Sequence, residues 1–265
     1  MMQRYSILIY ALIAYAVAGA NLVYVMGFIA GIYVPKGIND GIQGEFWMAV
    51  AIDVGLLWLF GFHHSITART WFKKHWTKII PPSIERATYL YMTAFTTGLL
   101  ILFWRPIPIP VWHVDNEVLI GIVYALYLLV WSLMLCATFQ FGHFGFFGVQ
   151  QAWQRFRNNR PADASFSAKW LYGMVRHPIS LCWMLTPWIT PHLTVGQIVF
   201  AFGITSYILI ATPFEEMDLI GEIGEKYRSY RKVVPAFVPF ATRKQKMRSA
   251  MSTSSEEIEL DGKSL

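Results

Sequence analysis

Charge is what this sequence has least of. Only 14% of its 265 residues are Asp, Glu, Lys or Arg, where an average soluble domain carries about a quarter. With 55% hydrophobic residues beside it, that shortage argues against one or two soluble domains. Cysteine is scarce as well. Cys136 and Cys182 both lie inside apolar runs and form no CxxC pair, so neither a disulfide framework nor a cysteine metal site is indicated. A soluble, glycine-rich Rossmann motif is absent, so any nucleotide-like cofactor has to be held in another way. No linker divides the chain and no repeat is visible. The net charge is +6, but the basic residues sit between long apolar runs, which fits a lipid bilayer and not nucleic acid.

Those apolar runs are the main feature present. Residues 7–34 are too long for a signal-peptide core, although Ala16-Val17-Ala18 superficially resembles a cleavage site. Residues 46–66 follow, with Asp53 inside and Phe62-His63-His64-Ser65 at the end. Residues 87–104 are closed by Arg105-Pro106, and 118–141 make a fourth run. Each has about the twenty residues that a bilayer core requires. The last apolar region is interrupted. Residues 179–189 are short for a straight span, Thr190-Pro191-His192-Leu193-Thr194 is a breaker with Thr194 as a candidate N-cap, and 195–211 form a second arm. A tight helical hairpin is expected, or a re-entrant pair. The fold expected is all-α: a polytopic membrane bundle of about six spans including this hairpin. Residues 1–240 make one domain, and the polar stretch 241–265 is expected to be disordered.

Charge placement supports that count. Arg4, five basic residues in 67–86, five in 142–178 and nine after Thr212 fall on one face, twenty of the 22 in all. Only Lys36 and Arg105 fall on the other. The positive-inside rule makes the first face cytoplasmic, with both termini on that side of the inner membrane.

Four polar groups stand at helix ends on this face. Val175-Arg176-His177-Pro178 opens the hairpin. Pro suits a first helical turn and the helix N-terminus offers free N–H groups, so Arg176 and His177 could hold a carboxylate or phosphate, or merely snorkel and cap. Pro213-Phe214-Glu215-Glu216 lies at the exit. Two adjacent carboxylates there could cap a new helix. In a tight hairpin they would instead face Arg176 and His177 and bind a zwitterion between them. Tyr227 and Tyr230, three apart on one helix face, could cover a planar ring or anchor an interfacial helix. His63, His64, Arg69, Glu85, Arg86 and His143 are scattered over the remaining ends. Adjacent His63 and His64 point about 100° apart on a helix and chelate poorly, so no metal site is expected.

In combination these groups are more specific. Arg176-His177-Pro178, Glu215-Glu216 and Gly224-Glu225-x-Tyr227-x-x-Tyr230 before a terminal Pro resemble the isoprenylcysteine carboxyl methyltransferase and phospholipid methyltransferase superfamily. His64-Ser65-x-x-Ala68-Arg69, Pro82-x-Ile84-Glu85-Arg86-x-Thr88-Tyr89 and His143-Phe144-x-x-Phe147-Gly148 resemble its methanethiol S-methyltransferase branch, close to NnrU-like proteins. The matches span about residues 45–240. The resemblance implies S-adenosylmethionine as cofactor and a small thiol as substrate. It implies that Arg176, His177 and Pro178 hold the cofactor and that Glu215 and Glu216 meet its ammonium or ribose, or brace Arg176. Tyr227 and Tyr230 would line its adenine. His64, Arg69 and His143 would stand on the acceptor side, and Glu85 and Arg86 would form a structural ion pair. After the RHP triplet the family usually has x-Tyr-x-Gly, where this chain has Ile179-Ser180-Leu181-Cys182.

Two rival classes compete. A haem- or quinone-linked subunit would use His63, His64, His143 and His177, but bis-histidine haem wants ligands within facing helices. A transporter would need a polar track across the bilayer, for which Asp53 is a thin basis. The topology is directly testable. A reporter fused after Leu265 is expected to be active only as a cytoplasmic fusion; activity confined to a periplasmic reporter would refute the assignment.

Overall fold

The computed structural model describes residues 2–159 and 168–239. Arg160 and the polar tail 241–265 lie outside the described residues. The chain runs through α1 (Met2–Ala30), α2 (Phe46–Ala68), α3 (Thr70–Trp76), α4 (Pro82–Phe103), β1 (Pro110–His113), α5 (Glu117–Gln140), α6 (His143–Phe146) and α7 (Val149–Arg157). It continues through α8 (Leu171–Met174), α9 (Pro178–Leu185), a 3-10 turn (Thr186–Trp188), β2 (His192–Thr194), α10 (Val195–Ile223) and α11 (Glu225–Val233). The membrane bundle is as expected, with strand confined to one short antiparallel ribbon that pairs β1 with β2.

Four helices, α1, α2, α5 and α10, are long and apolar enough to cross a membrane. The expected count of six is not reached by that measure, for two physical reasons. α4 has 22 residues but includes Glu85, Arg86, Thr88, Thr93, Thr96 and Thr97. The first arm of the hairpin is only eight helical residues and one 3-10 turn, about 12 Å of α-helix. No helix completes it on the N-terminal side, where Val175 is extended. The second arm corrects the expectation in the other direction. α10 does not stop near Ala211 but runs 29 residues, with Pro213 inside it, about 43 Å.

Local chemistry sets the helix ends. Glu45 accepts from the N–H groups of Trp47 and Met48 at the start of α2. Asn116 accepts from Leu119 N–H at the start of α5. Thr194 and Gln197 form a reciprocal capping box at α10. Gln197 also donates to the Ile29 carbonyl at 3.1 Å, which ties this cap to the end of α1. On the same end, Asp53 accepts from Arg105 N–H at 2.8 Å, and Lys36 donates to the carbonyls of Leu102 and Trp104, the last of α4. Asp53 therefore anchors a helix turn, and no polar track is needed to explain it.

α4 packs between α1 and α2, α2 against α10, and α9 between α10 and α5. One apolar cluster joins Phe28, Leu57, Trp104, Trp131, Cys182, Phe200 and Ile204 across these helices. The α2 to α10 contact is close because it uses glycine on each side. A Cβ on Gly61 would stand 2.4 Å from the Tyr207 ring, and one on Gly203 would stand 2.4 Å from Leu57 Cδ1. This packing brings the C-terminal ends of α2 and α10 together. Gly61→Val is expected to cost about 1–3 kcal/mol through overpacking and to lower the melting temperature in detergent. Gly55→Ala, on the same helix with nothing within 4 Å of its added Cβ, is expected to leave it unchanged.

Candidate active site at one end of the bundle

The strongest cluster forms where α9 begins and α10 passes. Val175 leaves α8 extended, His177 is the N-cap of α9, and Pro178 is its first residue. That geometry places Arg176 and His177 against Glu216, 40 and 39 residues later in the sequence. Arg176 Nε donates to Glu216 Oε1 at 2.7 Å, and His177 Nε2 lies 3.1 Å from the same oxygen. Arg231 Nε on α11 pairs with Glu216 Oε2 at 3.0 Å. Arg176 also donates to the carbonyls of Val234 and Arg231. Backbone bonds run from Arg176 N–H to Pro235 O and from His177 N–H to Ala236 O. The expected meeting of hairpin entrance and exit is therefore present, and the segment after α11 is zipped onto it.

The two carboxylates divide their roles. Glu216 is only 5% exposed and is held by both arginines and His177. Glu215 is 48% exposed, with Oε2 3.7 Å from His177 Nδ1. It acts electrostatically on Tyr89, Tyr172, Tyr207 and Tyr227, so it stands among α4, α8, α10 and α11. Neither residue caps a new helix, because both sit within α10. The N–H groups of Ile179 and Ser180, in the first turn of α9, have no acceptor among the described residues.

Tyr227 and Tyr230 do share a face, with ring centroids 5.7 Å apart, but that face is inward. Both are buried with Val234 against Leu219, Ile220 and Ile223. Tyr230 donates to the Tyr172 carbonyl at 2.6 Å. Burial pushes the Tyr230 hydroxyl up to about 12, with Arg176 opposing.

A second cluster sits at the C-terminal end of α2. The Tyr89 hydroxyl lies 2.9 Å from His64 Nε2, Thr93 Oγ1 lies 3.3 Å from Nδ1, and Phe60 stacks on the ring. Arg69 makes an ion pair with Asp218 at 3.3 Å. Thr70 reaches both Asp218 and Glu222. Arg86, expected to pair with Glu85, instead donates to the Phe146 carbonyl at 2.8 Å and lies over the rings of Tyr89 and Phe146.

His143 is separate from both clusters. It is 5% exposed, stacked on Phe139, with Thr138 Oγ1 2.7 Å from Nδ1 and Tyr15 OH 2.8 Å from Nε2. Burial pushes its imidazole down from the ordinary value. Both nitrogens of this ring have hydroxyl neighbours, as do those of His64. Sequence reasoning missed Asp218, Tyr207, Tyr172, Arg231 and Tyr15. One signal was readable: Glu215, Asp218 and Glu222 at i, i+3 and i+7 share a helix face, while Glu216 stands off it.

No family model matches the chain, and no solved structure matches it. Curated relatives do. A protein of a Pseudomonas species named methanethiol S-methyltransferase is 42% identical over 233 residues, 88% of this chain and 89% of its own. One of that name from Crocosphaera subtropica is 39% identical over 92% of this chain and 95% of its own. One from Mycobacterium tuberculosis is 37% identical over 91% of this chain and 99% of its own.

The Glu216 cluster makes a stability prediction. Glu216→Ala leaves two buried or half-buried guanidinium groups without their carboxylate, which costs about 3–5 kcal/mol where one partner of a buried pair is removed. Glu215→Ala removes a half-exposed group and is expected to change stability by less than about 0.5 kcal/mol. Denaturant or thermal unfolding in detergent checks both.

Proposed function

The chain belongs to the methanethiol S-methyltransferase family, and we propose that it transfers a methyl group from S-adenosylmethionine to a small thiol, converting methanethiol to dimethyl sulfide. The observation that carries the reading is the convergence of Arg176, His177, Glu215 and Glu216 at the same bundle end as His64 and Arg69. The residues present suit a sulfonium amino acid. The free N–H groups of Ile179 and Ser180, with Arg176 beside them, match a carboxylate, and the exposed Glu215 carboxylate matches an ammonium. His177 and Pro178 set the backbone that presents those N–H groups. Glu216 braces Arg176 and does not take a ligand directly. Tyr227 and Tyr230 act from beneath, through the packing of α11 and the Tyr230 to Tyr172 bond, with Tyr172 nearer the open side.

S-adenosylmethionine supplies an electrophilic methyl group on its sulfonium when bound. Transfer to a thiolate is an in-line displacement that neutralises charge, so it depends on alignment and exclusion of water more than on a strong base. In this reading the acceptor enters as its thiolate beside the His64 ring, whose orientation the Tyr89 and Thr93 hydroxyls fix. Arg69 and Arg86 stabilise that thiolate. His143 is a positioning residue: by holding Tyr15 and Thr138 together it fixes α1 against α5 beside the acceptor side. The basic excess around this end supports a cytoplasmic location for it, with both termini on that side.

Headspace gas chromatography of membranes given methanethiol and S-adenosylmethionine is expected to show dimethyl sulfide. With saturating cofactor, the rate should rise with pH and level off below the pKa of the free thiol. Arg69→Gln should move the plateau to higher pH or lower the rate throughout. Glu215→Gln should raise the apparent KM for the cofactor about tenfold without moving the profile. Methylation of a prenylated cysteine or a lipid with no dimethyl sulfide at any pH would overturn the thiol assignment. Identical profiles for parent and Arg69→Gln would remove Arg69 from the acceptor side.

A further inference from the structure

Twenty basic residues crowd one face by sequence, and the two left over meet at one place. Lys36 and Arg105 line a single cavity of about 370 Å³ with Gly41, Ile42, Leu102 and Phe103, at the bundle end opposite the candidate active site. We propose that this cavity binds the phosphate of a membrane phospholipid from the leaflet on that side, with the acyl chains lying along Ile42, Leu102 and Phe103.

Donor inventory supports a phosphate. The Arg105 guanidinium makes no hydrogen bond or ion pair among the described residues, and its backbone N–H alone is used, by Asp53. Lys36 commits two of its three protons to the Leu102 and Trp104 carbonyls and keeps one. Two carboxylates face Lys36, Asp53 and Asp40, and each has one oxygen bound to a backbone N–H, of Arg105 and Gly37 respectively. The second oxygen of the fully buried Asp53 has no partner. The donors left free in the cavity are thus the Arg105 guanidinium and one Lys36 proton, and the guanidinium fork suits phosphate. Burial and then the neighbouring Arg105 push the Lys36 ammonium down, against Asp53 and Asp40, so an added anion would relieve it.

Position supports a lipid as the source of that phosphate. The cavity lies at the end of α4, where an apolar helix meets the first polar residues. Ile42, Leu102 and Phe103 are 77%, 64% and 50% exposed beside the two cations, the arrangement of an interface that touches headgroup and chain together. Gly41 lines this space beside Lys36. At φ +129° it favours glycine, and a Cβ there would stand 3.4 Å from Lys36 Cε and 3.7 Å from Pro106 Cδ.

Native mass spectrometry of the full chain in detergent, with added phosphatidylglycerol or with diacylglycerol as a phosphate-free probe, tests the proposal. One phosphatidylglycerol adduct is expected to survive at low excess and no diacylglycerol adduct. Arg105→Gln removes a side chain with no protein partner, so the fold should be kept, as a melting curve can verify, while the adduct falls about tenfold. Arg228→Gln, an exposed change at the other end, should retain it. Three results would each overturn the assignment: no phosphatidylglycerol adduct on the parent, equal retention by Arg105→Gln, or inorganic phosphate occupying the site while the lipid does not. Since these readouts do not involve methyl transfer, they stand apart from the activity assigned above.

Discussion

The buried carboxylate of Glu216 is the constraint on which the active end of this bundle depends. Its two oxygens take Arg176 and His177 from the segment that opens α9 and Arg231 from α11. A carboxylate that is 5% exposed cannot rely on water, so these partners are its solvation. The same cluster fixes where α9 starts, how α11 returns, and how the strand-like pairing of residues 176–177 with 235–236 is held. Remove the carboxylate and three positively charged or polar groups lose the reason to be adjacent.

α10 gives this constraint its reach. The helix continues through Pro213, whose missing N–H would leave a carbonyl in the previous turn short of a donor. That carbonyl is Leu209's; the one before it, of Ile208, accepts from the Thr212 hydroxyl at 2.7 Å. Because the helix does not break, Glu215 and Glu216 point to different neighbours. Glu216 turns to the arginines of α11 and the hairpin entrance. Glu215 stands beside His177 and Tyr89, and Asp218 and Glu222 on its own face meet Arg69 and Thr70 at the end of α2. One helix therefore joins the two clusters proposed to hold cofactor and acceptor.

The opposite end is built on smaller but similar devices. Lys36 caps α4, Asp53 fixes the turn after it, and Gln197 links the cap of α10 to the last turn of α1. Two stacked histidines, His113 and His192, sit on the ribbon that closes the breaker between the hairpin arms. The short first arm is tolerated because the extended residues leading into β2 cover the remaining distance to this end.

Much of this was legible in the sequence, and the division is physical. Length and apolarity determine spans, so α1, α2 and α5 lie within about five residues of where the runs of 7–34, 46–66 and 118–141 place them. Capping is equally local, and Thr194 with Gln197 lies three residues apart as a capping box requires. Opposite charges on either side of a breaker were enough to anticipate Arg176 and His177 beside Glu216. What the sequence could not decide was which side of a helix finds a partner far along the chain. Tyr227 and Tyr230 keep their predicted common face, but only packing against Leu219, Ile220 and Ile223 determines that it is buried. His143 has the same local sequence in any fold; Tyr15, 128 residues away, is what occupies its second nitrogen. Proline signals a helix end in most settings, and α10 runs past it into the tertiary contacts of Glu216. Spans and caps follow from neighbours in sequence, whereas the roles of the charged and aromatic groups follow from neighbours in space.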